Sequence, residues 1–508
     1  MTTQTTDAGT GTGAPVRETF DSLDPRNGDV LGTHPVHTAE DVAAAVERAR
    51  EASDWWGGMS FDERREHLLT WKSVLARRLP QLAELMHAET GKPHGDATLE
   101  AVLAIDHLHW AATHARKVLG RRRMSPGLLM ANMAATLEYR PYGVVGVIGP
   151  WNYPVFTPMG SIAYALAAGN TVVFKPSEYT PGVAEWLAVT CKEAIGADVL
   201  QVVTGFGETG AALCRSGVDK VAFTGSTATG KRVMAACAET LTPVVIEAGG
   251  KDAMLVADDA DVAAAAEAAL WGGCSNAGQT CAGVERVYVH EQVYDEFLSE
   301  LVAQAEGLDA REDDDAQIGP ITMPAQLDVI RRHITDALAR GGRALLGGPD
   351  TVGDRYVQPT VLVDVPEDAD AVQEETFGPT LTVTRVRTMD EAVRLANGTR
   401  YALGSTVFSK RRGAELADRL RAGMTAVNSV ISFAAIPSLP FGGIGDSGFG
   451  RIHGADGLRE FAVPKAVARQ RYRAPLALTT FTRTPKSEQQ LVTLVTALHG
   501  GRSTIPPR

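Results

Sequence analysis

The chain has 508 residues, with 49 Lys and Arg against 61 Asp and Glu and a formal charge of −12. A chain of this length buries a sizeable core without disulfides or metal, and an acidic balance argues against duplex nucleic acid or an anionic membrane surface as the main partner, because both need a basic footprint. Its five cysteines are odd in number and contain no CxxC, which excludes a disulfide framework or zinc ribbon and fits a reducing, cytoplasmic compartment.

The opening MTTQTTDAGTGTGAP lacks the basic and apolar regions of a targeting peptide, so residues 1–19 read as a disordered tail. Thr38-Ala-Glu-Asp41 resembles a capping box and opens a helix with Val42, Val46 and Ala49 on one face. Charge-laced helical sequence continues to about Arg121, including Asp62–Glu89 and Ala97–Leu119. Arg122–Tyr142 alternates like a β hairpin. From Val144 short apolar runs alternate with helices. Strands are expected at Val144–Ile148, Thr171–Phe174, Val199–Thr204, Val221–Thr224 and Val244–Glu247, with helices at Met159–Ala168, Ala184–Ala194 and on to Ala238. That order implies a parallel, doubly wound sheet. A second α/β set follows Gly250, with helices at Val262–Trp271 and Tyr294–Glu306 and strands at Arg286–Val289, Ala344–Leu346 and Val361–Val363. Tyr472–Phe481 has strand character. No apolar run reaches the roughly 20 residues a membrane span needs.

Two glycine-rich loops invite nucleotide readings. Gly205-Phe-Gly207-Glu-Thr-Gly210 matches GxGxxG, but no acidic residue ends the following strand, so the dinucleotide fingerprint is incomplete. Gly207 still offers a turn near a cofactor. Gly225-Ser226-Thr-Ala-Thr-Gly230-Lys231 matches GxxxxGK, yet Arg232 stands where a P-loop carries its magnesium-binding hydroxyl. The loop would bring Ser226 and backbone amides to a helix start, suited to a pyrophosphate or to simple capping. Asp106-His107-Leu-His109 with His114 does not make a metal site, because positions i and i+2 do not share a helix face. No metal is expected.

Three residues bear chemistry. Cys281, in Gly278-Gln-Thr-Cys281, lies in a loop of small and polar residues, whereas Cys191, Cys214 and Cys237 fall in helical patterns; Cys274 is the rival. Glu247 ends an apolar strand, where burial would raise its pKa toward a useful base; the plain alternative is a solvated loop acid. Asn152, between Pro150 and Pro154, is a turn former or an oxyanion donor.

The chain resembles the aldehyde dehydrogenase superfamily from about Phe20 to Val463. The matching blocks are Gly149-Pro-Trp-Asn-Tyr-Pro154, Phe174-Lys-Pro-Ser-Glu178, Phe223-Thr-Gly-Ser-Thr227, Glu247-Ala-Gly-Gly-Lys251, Gly278-Gln-Thr-Cys281, Glu374-Glu-Thr-Phe-Gly-Pro379 and Pro440-Phe-Gly-Gly443 with Ser447-Gly448. The resemblance implies two doubly wound α/β domains, a Rossmann-like cofactor domain and a catalytic domain, plus a small β oligomerisation element. Its boundaries would be 20–121 with 143–249 for NAD binding, 250–447 for catalysis, and 122–142 with 448–508 for bridging. It implies oxidation of an aldehyde to a carboxylate through a thiohemiacetal and thioester on Cys281. Asn152 and the Cys281 amide would stabilise the oxyanion, and Glu247 would activate the hydrolytic water. Lys175 and Glu178 would hold the adenosine ribose, Ser226 and Trp151 the pyrophosphate beside the Gly225–Gly230 helix start, and Glu375 the nicotinamide ribose, with Phe377 packing close by. Glu178 favours NAD over NADP. The alternatives are a relative that passes the acyl group to coenzyme A, and a non-catalytic nucleotide-binding member. A homodimer or homotetramer is implied, with no nucleic-acid partner. One departure is Ala248, where the family usually has Leu.

Overall fold

A computed structural model describes residues 17–313, 316–474 and 480–501. The expected tail over residues 1–19 falls almost wholly outside the described residues. Among the described residues, the larger of two units comprises those from 17 to 119 and from 140 to 463, and the smaller those from 120 to 139 and from 464 to 501.

The larger unit begins with a hairpin, β1 (Thr19–Leu23) and β2 (Val30–Pro35), then four helices: α1 (Ala39–Gly58), α2 (Phe61–Arg77), α3 (Leu79–Thr90) and α4 (His94–Leu119). Thr38 forms the expected capping box, accepting from the Asp41 amide while the Asp41 carboxylate accepts from its own. In the smaller unit β3 (Arg122–Met124) pairs antiparallel with β4 (Met133–Pro141), as the alternating sequence predicts.

The first large sheet contains β5 (Val144–Ile148), β6 (Thr171–Lys175), β7 (Leu200–Val202), β8 (Lys220–Gly225) and β9 (Val244–Ala248). Between them run α5 (Phe156–Ala168), α6 (Pro181–Ile195), α7 (Gly207–Arg215) and α8 (Thr227–Ala238). Helix α5 is apolar all round and every one of its residues is buried, as such a pattern requires. The second sheet contains β10 (Asp252–Val256), β11 (Val284–His290), β12 (Arg343–Leu346), β13 (Thr360–Val363), β14 (Thr380–Val386), β15 (Ser405–Phe408) and β16 (Ala426–Val427), with α9 (Val262–Cys274) before β11. A two-residue strand, β17 (Gly448–Phe449), returns to the first sheet, and β18 (Ala462–Gln470) joins the smaller unit.

The first sheet has the order β17-β9-β8-β5-β6-β7, parallel except for β17; the second has the order β12-β13-β14-β11-β10-β15-β16, parallel except for β12. This is the expected mixed α/β architecture with two parallel sheets. One core cluster packs Val42, Val46 and Ala49 of α1, with α7 and α8, onto the first sheet; two more pack on the second sheet. Residues 448–463, grouped by the sequence reading with the bridging segment, sit in the larger unit, because Gly448 and Phe449 pair antiparallel with Glu247 and Ile246. The described part of Tyr472–Phe481 contains no strand, and residues 475–479 lie outside the described residues. Among the described residues no helix is long and apolar enough to cross a membrane.

Candidate active site

Strands β5, β6, β8 and β9 are parallel, so their carboxyl ends share one edge of the sheet. The loops at that edge carry Asn152, Lys175–Glu178, Gly225–Ser226 and Glu247–Gly250. Ligands bind at this edge in open α/β sheets.

Cys281 approaches from the second sheet. After α9 the chain turns through Asn276 and Ala277 in the left-handed region, with φ of 50° and 57°, and then Gly278 at 69°. A β-carbon on Gly278 would collide with the backbone of Gly378, so this close approach requires glycine. Gln279, buried, locks the turn: its amide nitrogen donates to Asn276 O (2.9 Å) and its amide oxygen accepts from Thr322 N (2.8 Å). Of the five cysteines, Cys281 alone is not fully buried, and all are free. It faces a cavity lined by Leu103, Tyr153, Phe156, Ile431 and Phe441. Gly250 lies so close to the Cys281 carbonyl that a β-carbon there would not fit.

Glu247 is 3% exposed at the end of β9, and neither carboxylate oxygen has a hydrogen-bond partner among the described residues. Burial raises its pKa to about 8; the Cys281 thiol and Thr224 hydroxyl lie near enough to temper this without reaching hydrogen-bond geometry. Burial also drives the Cys281 thiol well above its ordinary value, and the nearby Glu247 and Glu375 carboxyls add to the shift. The resting site therefore holds a protonated thiol beside a largely protonated acid at neutral pH. Cys274, the sequence rival, is buried and its thiol is pushed up to about 12.

The Asn152 side chain donates to Gln279 O at 2.8 Å, tying the oxyanion candidate to the Cys281 turn. An amide has two N–H groups, so one proton stays available for a developing oxyanion. The Tyr153 hydroxyl and Thr280 Oγ1, 2.9 Å apart, make a second link between the same loops.

The residues expected to hold a dinucleotide sit along the same edge. Lys175 is 5% exposed and its Nζ lies 3.8 Å from Glu178. Burial lowers the Lys175 pKa, and Glu178 partly offsets it. Ser226 caps α8, accepting from Thr229 N at 3.3 Å, so the helix presents its positive end beside Gly225. Gly230 packs in the first turns of α8 against Ile246 and Phe223. Gly207 opens α7 after edge strand β7, with open space where a side chain would point. The Trp151 and Phe377 rings meet edge to face at 5.6 Å. Glu375 accepts from Gly250 N at 3.1 Å, and burial with the nearby Glu285 raises its carboxyl well above its ordinary value. Open space, a capped helix terminus and an acid at each flank fit a dinucleotide. His107 is buried and bonds Ala434 O; among the described residues no cluster could hold a metal ion.

Sequence reasoning missed the buried ion pairs behind these loops. Lys251 Nζ contacts Glu285, which accepts from Thr376 N and Phe377 N at 2.8 and 3.0 Å, so this pair holds the Glu375 segment. Lys92 and Glu100 do the same behind Asn152. In the sequence they appear only as the Gly91-Lys92-Pro93 that follows α3 and a lone Glu on α4.

Residues 13–467 match the aldehyde dehydrogenase family. The chain is 37% identical over 462 residues to the 4,4'-diapolycopene aldehyde oxidase of Methylomonas sp, covering 90% of this chain and 87% of that protein. Among solved structures, the NAD-dependent aldehyde dehydrogenase from Sinorhizobium meliloti is 34% identical with a TM-score of 0.86, covering 91% of this chain and 93% of that one. The succinate-semialdehyde dehydrogenase from Burkholderia pseudomallei is likewise 34% identical, with a TM-score of 0.84, covering 89% and 94%.

Proposed function

The chain belongs to the aldehyde dehydrogenase family, and from that premise we propose that this NAD(P)-dependent oxidoreductase works through a thioester on Cys281, with Glu247 as base and Asn152 as oxyanion donor. The observation that carries the assignment is the meeting of three groups: a thiol at an apolar cavity, a buried unbonded carboxyl beside it, and an amide tied to the same turn.

In this mechanism the Cys281 thiol gives its proton to solvent, and the thiolate attacks the aldehyde carbon. The free Asn152 N–H and the Cys281 main-chain amide steady the resulting oxyanion. A bound NAD(P) supplies the acceptor for the two electrons and the hydrogen that leave the thiohemiacetal. Glu247 then removes a proton from water, whose oxygen attacks the thioester and releases the carboxylate and the thiol. Splitting the oxidation in two lowers each barrier, and each step uses a group already in place. Residues 20–121 and 143–249 would hold the cofactor, and residues 250–447 the thiol. Lys175 and Glu178 would bind the adenosine ribose, Trp151, Gly225, Ser226 and Gly230 the pyrophosphate, and Glu375 with Phe377 the nicotinamide side. Gly207 would offer a glycine turn near the cofactor. A purified-protein assay with an aldehyde and NAD or NADP tests this: aldehyde-dependent cofactor reduction is expected, and its absence across aliphatic and aromatic aldehydes sinks the proposal.

NAD is the favoured cofactor. The Glu178 carboxylate suits ribose hydroxyls and repels a 2′-phosphate, while Lys175 is already partnered with it. The expected kcat/KM for NAD exceeds that for NADP by about tenfold or more, and Glu178→Gln narrows the ratio, since juxtaposed like charges cost several kcal/mol. A ratio unmoved by the substitution would remove Glu178 from the site.

The cavity supports one substrate class. Its described lining is largely apolar, and its only charged residues, Asp96 and Glu100, are acidic. A carboxylate-bearing aldehyde would find no cation there, and burying an unpaired charge is costly. An uncharged apolar aldehyde such as octanal or benzaldehyde is expected to exceed succinate semialdehyde in kcat/KM by at least about 10²-fold, the scale of discrimination an unpaired buried group produces. The reverse order would overturn this class.

Self-association belongs to the same reading. Strand β18 is an edge strand with exposed Val463 and Val467, a surface fit for pairing with a second copy as a dimer or tetramer. A cytoplasmic location is supported by the free cysteines.

A further inference from the structure

We infer that Lys92 and Glu100 are positioning residues for the oxyanion donor; the inference rests on the role given to Asn152 above. Both side chains are 0% exposed, and Lys92 Nζ donates to Glu100 Oε2 at 2.5 Å. A buried ion pair is weak evidence for stability, because well-packed apolar residues in its place are often as stable. Its place in the fold assigns it a geometric task. Lys92 Nζ also donates to the Asn152 carbonyl at 2.7 Å, and it stands over the Tyr153 ring at 4.5 Å. Asn276 Nδ2 donates to the same carbonyl at 3.0 Å, from the turn that leads to Cys281. The Asn152 main chain is thus gripped by two donors.

Glu100 grips the other side. Its Oε1 accepts from Val155 N and Phe156 N, at 2.8 and 3.0 Å. These amides begin α5, which has no side-chain cap of its own. One pair therefore fixes a carbonyl with its cation and two amides with its anion, bracketing residues 152–156. The polarity cannot be exchanged, because a carbonyl needs the donor and the amides need the acceptor. Fixing both ends of so short a segment sets where the Asn152 amide points, and a displacement of about 1 Å at such a group can cost about 10²-fold in rate.

The test is a double-mutant cycle read on the pre-steady-state burst of reduced cofactor. Lys92→Met combined with Glu100→Gln leaves no orphan charge; Glu100→Gln alone carries the same cycle if the combined variant folds poorly. The expected loss in burst rate is about 10- to 100-fold, with NAD affinity and iodoacetamide alkylation of Cys281 changed by less than about twofold. In an Asn152→Ala background the same substitutions are expected to cost little more, because residues acting through one group are not additive. Equal fold losses in both backgrounds would overturn the positioning role while leaving Asn152 in its place. An Asn152→Ala burst equal to that of the wild type would overturn both assignments.

Discussion

Cys281→Ala is expected to abolish aldehyde-dependent reduction of NAD(P), with a loss of at least about 10⁴-fold, the scale seen when a nucleophile that acts as part of a unit is removed. NAD affinity is expected to hold, because the edge proposed to hold the dinucleotide is built mainly from β5, β6 and β8 and not from the Cys281 turn. No other thiol is expected to substitute. Cys191, Cys214, Cys237 and Cys274 are all buried, and Cys274, though only seven residues away, belongs to the end of α9. Steady-state kinetics with cofactor titration checks this, and turnover within tenfold of wild type would place the nucleophile elsewhere.

Glu247→Gln is expected to separate the two halves of the reaction. Steady-state turnover is expected to fall about 10²- to 10⁴-fold, the range for a lost general base. A variant that still acylates would release a burst of reduced cofactor approaching one equivalent per site and then stall at the thioester. The pH dependence follows from the same residue. Glu247 titrates at about 8, raised by burial, so it is neutral below that value and a base above it. In the wild type, kcat is expected to rise with pH through about 8 and then level off. Glu247→Gln should lose that limb. A rise that survives the substitution would assign the titration to another group.

The sequence shows the fold best where local pattern and burial agree. Val144–Ile148 is continuous apolar chain bounded by Gly149-Pro150, and it is the central buried strand β5. The Thr38 capping box is local chemistry and forms as read. Strands β10, β14 and β15 were less legible: Asp252 opens the first, Thr and Arg interrupt the second, and the third has four residues. Each is a strand because neighbours pair with it across long separations, which no window reveals. Strand β17 is two residues long and exists only through β9.

The site divides similarly. Cys281, Glu247 and Asn152 stand in motifs, so their types and order are visible. What brings them together is not. Lys92 and Glu100 look like surface charges on a helical stretch, yet both are fully buried against the loop of Asn152. Asn276 looks like a loop amide, yet its left-handed backbone turns its side chain onto that loop. Glu375 is half of an ordinary Glu-Glu pair until Gly250 donates to it. These contacts join residues tens to hundreds of positions apart, and only tertiary packing decides them.

The covalent intermediate offers the most direct measurement. Glu247→Gln, mixed with NAD and an uncharged aldehyde, is quenched in acid and analysed by peptide mass spectrometry. The thioester mechanism predicts an acyl increment on the peptide carrying Cys281, dependent on NAD and absent in Cys281→Ala. Turnover with no acyl increment on that peptide, or an increment on a different cysteine, would contradict it.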